Sequence, residues 1–132
     1  MDSLTHLVAG ALIPPALRHM PRRGALVVFG ILAGELPDID VLAGGTASAA
    51  ALFTIHRGIT HALVWQPILA LALVLPMYLW LSAKDPLRVP SLKSMFGAAL
   101  FGLYLHLFLD CMTTFGTQIF LPFSDYRVGL PG

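Results

Sequence analysis

The chain has 132 residues, which is long enough for one packed core, so we predict a single domain over residues 1–132. Hydrophobic residues make up 57% and charged residues 11% of it, whereas soluble domains carry about 25% charged residues. The net charge of +1 offers no basic surface, so we expect no nucleic-acid partner. With a mean hydropathy of +0.79, the chain has too few charges to cover a water-facing surface, and we predict a bilayer environment.

The cysteine content and the N-terminal sequence bear on disulfide formation and on signal-peptide cleavage. The single cysteine, Cys111, cannot form a disulfide within the chain. The N-terminus carries Asp2 and no basic stretch before the apolar segment Leu7–Leu17, so we expect no cleaved signal peptide.

Four apolar segments predict four helices. The predicted ranges are Ser3–Leu17, Gly24–Leu36, Thr60–Ala83 and Leu92–Phe115. Pro37 should stop the second helix because the residue before a proline disfavours helical geometry. Gly116 should end the fourth helix. The tail after it, residues 117–132, is predicted to be a loop or short strands, with a weak strand signal at Gln118–Leu121.

The third segment is the strongest membrane candidate. It is apolar for the roughly 20 residues that a bilayer requires, with Trp65 and Trp80 near its ends and Thr60 as its expected N-cap. The first two segments are shorter, about 20 Å at 1.5 Å per residue, and are predicted to be tilted, half-buried partners. The predicted fold is therefore all-α, a membrane-embedded up-and-down bundle of about four helices.

The ionisable residues of this bundle should gather at one pole. Because an up-and-down bundle reverses at every connection, the start of each helix neighbours the end of the next. The residues that follow this alternation are His6, Asp38, Asp40, His56, Arg57, His61, His106 and Asp110.

The basic residues should gather at the opposite pole. They lie in the connections between the first and second and between the third and fourth helices: Arg18, Arg22, Arg23, Lys84, Arg88 and Lys93. Positively charged connections favour the cytoplasmic side of a membrane. We therefore predict that the His/Asp pole is extracytoplasmic.

His106 and Asp110 indicate what this pole does. They are four residues apart on an apolar helix and so share one face, a stripe that Thr113 and Thr114 should continue. Burying a carboxylate beside an imidazole is costly unless a partner or cation compensates, and a divalent cation does so. For this pair alone a plain Asp–His hydrogen bond explains the pattern as well, but the larger cluster favours a metal.

We expect a divalent metal, zinc first, with manganese or magnesium as alternatives. The candidate ligands are His6, Asp38, Asp40, His56, His61, His106 and Asp110. Seven ligands exceed one tetrahedral ion, so roughly one to three ions are expected.

The remaining polar residues of this pole have assigned roles in hydrolysis. Water on the metal, with its pKa lowered to about 7, would be the nucleophile, and Asp40 would orient it as general base. Arg57 is the best clamp for a phosphate, although a salt bridge to Asp38 or Asp40 explains it equally well. Thr114 is a further candidate for substrate binding, and Arg127 a weaker clamp.

Four motifs in this order resemble the YdjM-like family. They are DSLTH at residues 2–6, LPDID at 36–40, HRGITH at 56–61 and HLFLD at 106–110, followed by TTFG at 113–116 and LPF at 121–123. HRGITH is the most specific of them. Members of this family are described as LexA-regulated, inner-membrane-associated, metal-dependent hydrolases, distantly similar to zinc-dependent phospholipase C and P1-type nucleases.

The resemblance implies a multi-pass inner-membrane protein that hydrolyses a phosphoester, with a phospholipid headgroup as one candidate substrate. Many relatives continue into further membrane segments, so we expect substrate-binding parts to be missing here or supplied by a homo-oligomer. The alternative is a non-enzymatic protein, either a metal or proton carrier or a structural partner. Transport sites usually lie near the bilayer midplane, whereas these residues cluster at helix ends, which favours the enzyme.

Overall fold

A computed structural model of the protein describes residues 3–11, 23–38, 58–87, 89–114 and 116–130. These residues form four α-helices: α1 Ser3–Ala11, α2 Arg23–Glu35, α3 Gln66–Lys84 and α4 Leu92–Cys111. Three short 3-10 turns accompany them: Leu36–Asp38, Ile59–His61 and Leu63–Trp65. Over these ranges the chain has no strand, only one isolated bridge, so the all-α prediction is confirmed.

Several predicted boundaries differ from the observed ones. The third helix was predicted from Thr60, but Ala62 is extended at φ −74° and ψ 136° and separates two 3-10 turns before α3 begins at Gln66. Thr60 is therefore not the N-cap of this helix. The second helix stops before Pro37 as predicted: α2 ends at Glu35, one residue earlier than expected, and a 3-10 turn over Leu36–Asp38 follows it.

The end of the fourth helix was also predicted too late. α4 ends at Cys111, so Thr113 and Thr114 do not continue its stripe as predicted. The weak strand signal at residues 118–121 was wrong, because residues 119–123 form turns. For the first helix, residues 12–17 of the prediction lie outside the described ranges.

The core lies where α2, α3 and α4 meet. α3 packs along α4, α2 packs on α4, and α1 packs on α2 and touches α4. Small side chains alternate with large ones in this core, which lets the helices approach closely: Phe29, Ala70, Val74, Leu81, Met95, Ala98, Ala99 and Leu103. The core occupies the interior between helices, and it leaves the outer faces of α3 and α4 uncovered.

The contact between α1 and α2 depends on Gly10. A Cβ atom added at Gly10 would collide with the carbonyl oxygen of Gly30 on α2 and would lie 3.2 Å from the Cα of Ile31. The absence of a side chain at Gly10 therefore lets the backbones of α1 and α2 approach closely. Any larger residue at this position would push α1 off α2.

The outer faces of α3 and α4 are apolar and exposed. The segments Leu63–Lys84 and Leu92–Cys111 have mean hydropathies of 1.7 and 1.5. Only 17% of the first segment's most apolar stretch and 39% of the second's is buried inside the protein. Both are long and apolar enough to cross a bilayer, as predicted for the third segment. Their large exposed side chains include Ile68, Leu71, Leu75, Leu79, Phe101 and Phe108.

The C-terminal segment 116–130 folds back onto one end of the bundle. Gly116 turns the chain after α4 with φ +67°, a left-handed conformation that favours glycine. Thr117 and Val128 then form an antiparallel bridge, and the Leu130 N–H donates to the Thr113 carbonyl at 3.1 Å. The segment therefore closes a loop beside the last turn of α4.

Candidate metal centre

Four acidic and imidazole side chains meet at the end of the bundle where α4 terminates. They are Asp38, His61, His106 and Asp110, and one donor atom from each lies within 4.8 Å of the donors of the other three. His61 and His106 are completely buried, Asp110 nearly so, and Asp38 retains 15% of its side-chain exposure. Among these four described side chains, Asp38 is the one that reaches solvent.

The two imidazoles stand at the centre of this cluster. Their Nε2 atoms are 3.2 Å apart. From Asp38 Oδ1 the distances are 3.2 Å to His61 Nε2 and 3.4 Å to His106 Nε2. From Asp110 Oδ2 the corresponding distances are 3.4 Å and 3.5 Å. Five of the six donor–donor distances are therefore between 3.2 and 3.5 Å, and the two carboxylate oxygens lie within 4.8 Å of each other.

Different local structures present the four side chains. α4 carries His106 and Asp110 one turn apart on the same face, as their spacing predicted. Asp38 ends the 3-10 turn that follows α2, and His61 ends the 3-10 turn that precedes α3 by a few residues. Half of the cluster therefore stands on a regular helix and half on short turns.

The hydrogen bond of His106 fixes which ring nitrogen faces the cluster. His106 Nδ1 lies 2.6 Å from the carbonyl oxygen of Gly34 on α2. A carbonyl oxygen can only accept, so Nδ1 carries the proton and donates it to Gly34. In the neutral ring Nε2 then directs its lone pair at the other three side chains, and this is the tautomer that a metal-binding histidine needs.

His61 is held by two neighbours that act differently. Its Nδ1 is 3.0 Å from the hydroxyl of Thr60. The buried carboxamide of Gln66 donates to the carbonyls of Thr60 and Ala62, at 2.9 Å and 3.1 Å, which are the carbonyls on either side of His61. Gln66 therefore clamps the turn that presents His61.

Sequence reasoning missed Gln66, although a signal was present. It is the one amide or charged side chain between His61 and Ser82, in an otherwise apolar run. Burying a carboxamide among apolar residues costs free energy unless it is hydrogen-bonded. A lone glutamine at the start of a membrane segment thus indicates a backbone partner nearby.

The electrostatics of Asp38 reflect its imidazole neighbours. Burial alone would raise the pKa of this carboxyl, but hydrogen bonds and charge interactions with His106 and His61 outweigh it and hold the pKa well below its usual 3.8. Asp38 is therefore ionised at neutral pH and brings negative charge to the cluster. Two carboxylates beside two imidazole nitrogens call for a shared positive charge.

Comparison with known proteins identifies the family of this chain. The family model described as YdjM inner membrane protein matches residues 1–132. The chain belongs to the YdjM inner membrane protein family. It is also 30% identical over 139 residues to the uncharacterized protein YfhP of Bacillus subtilis (strain 168), an alignment covering 98% of this chain and 40% of YfhP. The chain thus spans about 40% of the length of this relative, and no solved structure matches it.

The resemblance to the YdjM-like family is therefore confirmed, and the structure brings together four of its predicted residues. The backbone of His6 lies in α1, while its side chain is outside the described part. Asp40, His56 and Arg57 also lie outside the described residues. Their predicted roles as ligands, general base and phosphate clamp stay predictions.

The described residues outside the cluster are less informative about chemistry. Thr114 is exposed beyond the end of α4, and its role in substrate binding stays a prediction. Asp125 and Arg127 are exposed in the C-terminal loop. Thr113 donates its hydroxyl to the carbonyl of Asp110 at 2.7 Å and so helps to end the helix there.

Proposed function

We propose that this YdjM-family chain is a membrane-embedded, metal-dependent hydrolase that binds a zinc ion between Asp38, His61, His106 and Asp110. The observation that carries the proposal is the set of distances between the four donor atoms. Zinc lies about 2.0 to 2.2 Å from nitrogen and oxygen ligands, so the edges of its coordination tetrahedron are about 3.3 to 3.6 Å long. Five of the six donor–donor distances in the structure are 3.2, 3.2, 3.4, 3.4 and 3.5 Å, close to these edge lengths.

The chemistry of the donors fits the same ion. Two imidazole nitrogens and two carboxylate oxygens suit zinc, whereas magnesium prefers oxygen ligands and retains several waters. The His106–Gly34 hydrogen bond directs the lone pair of Nε2 at the centre, in the manner of histidines that bind zinc. When bound, such an ion acts as a Lewis acid and lowers the pKa of water to about 7.

Within this proposal each residue of the cluster has its own task. Asp110 and the two histidines, all buried, hold the ion. Asp38 lies at the solvent-facing edge, where a substrate or water would enter. Asp38 completes the ligand set from that edge, and we assign the orientation and deprotonation of the water to Asp40.

The position of the cluster favours a substrate at the membrane surface. His61 precedes the candidate span Leu63–Lys84 by two residues, and Asp110 is one residue from the end of the other span. If the two spans pass through the bilayer in opposite directions, both residues lie at one surface, and the basic connections favour the extracytoplasmic side for it. We propose a phosphoester substrate there, with a phospholipid headgroup as the first class to examine.

A second candidate function is a structural metal site without catalysis. Catalytic zinc sites usually have three protein ligands and one open position, whereas closed four-ligand sites are structural. Four protein donors lie around one point here, which is the observation in favour of this candidate. The ion would then fasten α2, α4 and the turn before α3 together.

Elemental analysis of the purified protein tests whether a metal is bound. We expect about one zinc per chain in the wild type, and none in His106→Ala and Asp110→Asn. Asp125→Asn is the matched control, because Asp125 is exposed and outside the cluster, and it should retain the metal. Equal, negligible metal in all four proteins would remove the site.

Phosphodiesterase and phosphomonoesterase assays with the zinc-loaded protein in lipid separate the two candidates. The enzyme proposal expects turnover that disappears in Asp40→Asn even where that variant still retains zinc. Stoichiometric zinc with no turnover of any phosphoester, together with a lower melting temperature after chelation, would favour the structural site instead.

A further inference from the structure

The loop Ile119–Tyr126, which we name the aromatic loop, exposes apolar rings that no part of the described structure covers. Phe123 is 84% exposed and Tyr126 67% exposed, with Phe120 at 45%. The charged residues of segment 116–130 are Asp125 and Arg127. Large exposed rings of this kind indicate a surface that is covered by something other than water.

Backbone hydrogen bonds fix the level of this loop relative to the two candidate spans. The N–H of Leu63, the first residue of one span, donates to the carbonyl of Ile119 at 2.9 Å. At the other end of the segment, Leu130 donates to Thr113, two residues beyond the second span. The loop is thus attached to the ends of both candidate spans, and the end of a membrane-spanning helix is where the hydrocarbon gives way to lipid headgroups.

The composition of this end of the molecule fits that level of the membrane. Tryptophan and tyrosine rings concentrate at the membrane–water boundary, where an apolar body and a polar tip are both accommodated. Trp65 is exposed two residues after Leu63, on the same end of the bundle as Tyr126.

We propose that the aromatic loop lies in the headgroup region of the bilayer and anchors the His/Asp end of the bundle at the membrane surface. The occupant of the exposed surface is lipid, and Phe123 penetrates furthest because it is the most exposed of the rings. The proposal does not depend on metal binding or hydrolysis, since it concerns only how this end of the bundle meets the membrane.

Depth-dependent fluorescence quenching tests it in vesicles of phosphatidylcholine. Phe123→Trp is made in a chain carrying Trp65→Phe and Trp80→Phe, so that the new indole is the only one. Phe101→Trp in the same background is the matched control, because Phe101 lies at the middle of α4 and is 60% exposed. Lipids brominated near the headgroup or near the chain end, and iodide in the water, serve as quenchers.

We expect Phe123→Trp to be quenched most strongly by the shallow bromines, and Phe101→Trp most strongly by the deep ones. Iodide quenching of Phe123→Trp should be several-fold weaker than that of free tryptophan. Tyr126→Trp should behave like Phe123→Trp, with more iodide quenching because it is less deeply placed.

Three results would overturn the proposal. Strong iodide quenching without bromine quenching would place the loop in water. Protection from both quenchers that weakens as the protein is diluted in lipid would mean that a second copy of the chain covers the loop. Quenching with the depth profile of Phe101→Trp would place the loop in the hydrocarbon.

Discussion

The helical half and the turn half of the metal centre reach the same point by different means. His106 and Asp110 stand on α4, where helix periodicity places them together and the hydrogen bond to Gly34 fastens the imidazole to α2. Asp38 and His61 stand on 3-10 turns of three residues, which have little stability of their own. The helical half is positioned by the bundle, whereas His61 depends on the side chains of Thr60 and Gln66.

The largest expected effect is the loss of metal binding when either histidine is replaced, and the stability of the metal-free protein then distinguishes the two histidines. His61→Ala and His106→Ala should both abolish metal binding, measured by calorimetric titration with zinc. In metal-free protein, His106→Ala should lower the free energy of unfolding by about 0.5 to 1.5 kcal/mol more than His61→Ala does. The reason is that His106→Ala removes the hydrogen bond from α4 to the Gly34 carbonyl on α2. Equal thermal melting of the two metal-free variants would contradict this distinction.

The next largest effect is expected at Gln66, whose hydrogen bonds hold the turn that presents His61. Gln66→Met removes both donors to the carbonyls around His61 while it retains a long apolar side chain. We expect zinc affinity to fall by about 10- to 100-fold, as for other partners that orient a metal ligand, with unchanged helix content by circular dichroism.

Gln118→Met is the matched control for this prediction. Gln118 also donates its carboxamide to a backbone carbonyl, that of Asp125, but in the exposed loop away from the cluster. Its zinc affinity should equal that of the wild type. If both variants bind zinc equally well, Gln66 does not position His61.

A smaller effect should come from the packing of α1 on α2, on the helical side of the comparison. Gly10→Ala places a methyl group against the Gly30 carbonyl and should destabilise the fold by about 1 to 3 kcal/mol. Gly97→Ala is the control, since nothing lies within 4 Å of its Cβ position on α4. It should instead stabilise by about 0.5 to 1 kcal/mol, and thermal melting of both variants measures the difference.

The smallest effect is expected at Thr60. Thr60→Val removes the hydroxyl beside His61 Nδ1 but leaves the Gln66 clamp in place, so zinc affinity should fall by about tenfold or less. Thr114→Val, an exposed threonine beyond the cluster, should leave zinc affinity unchanged. A loss at Thr60→Val larger than at Gln66→Met would reverse the order of the two supports.

The sequence predicted the helical half of this site better than the turn half. Apolar segments located the four helices, and the spacing of His106 and Asp110 placed them on one face. The alternation of helix starts and ends predicted that Asp38 and His61 would join them. Each of these inferences uses only helix periodicity and chain reversal, which are local properties or simple consequences of topology.

The turn half could not be predicted because its geometry comes from tertiary contacts. Residues 62–65 are all apolar and continue into the apolar segment after them, so the sequence predicts one long helix, and nothing local indicates that Ala62 is extended. That break is stabilised by Gln66 and by the hydrogen bond from Leu63 to Ile119, more than fifty residues away. The same applies to the His106–Gly34 bond, which joins residues 72 positions apart.

The separation of the four residues along the chain has a mechanical consequence. His61 and His106 are 45 positions apart, and Asp38 belongs to a third segment. A cation held by all of them acts as a cross-link that closes two long loops, and its binding free energy adds to the cohesion of the fold. At a free concentration 1,000 times its dissociation constant, such an ion contributes about 4 kcal/mol against unfolding.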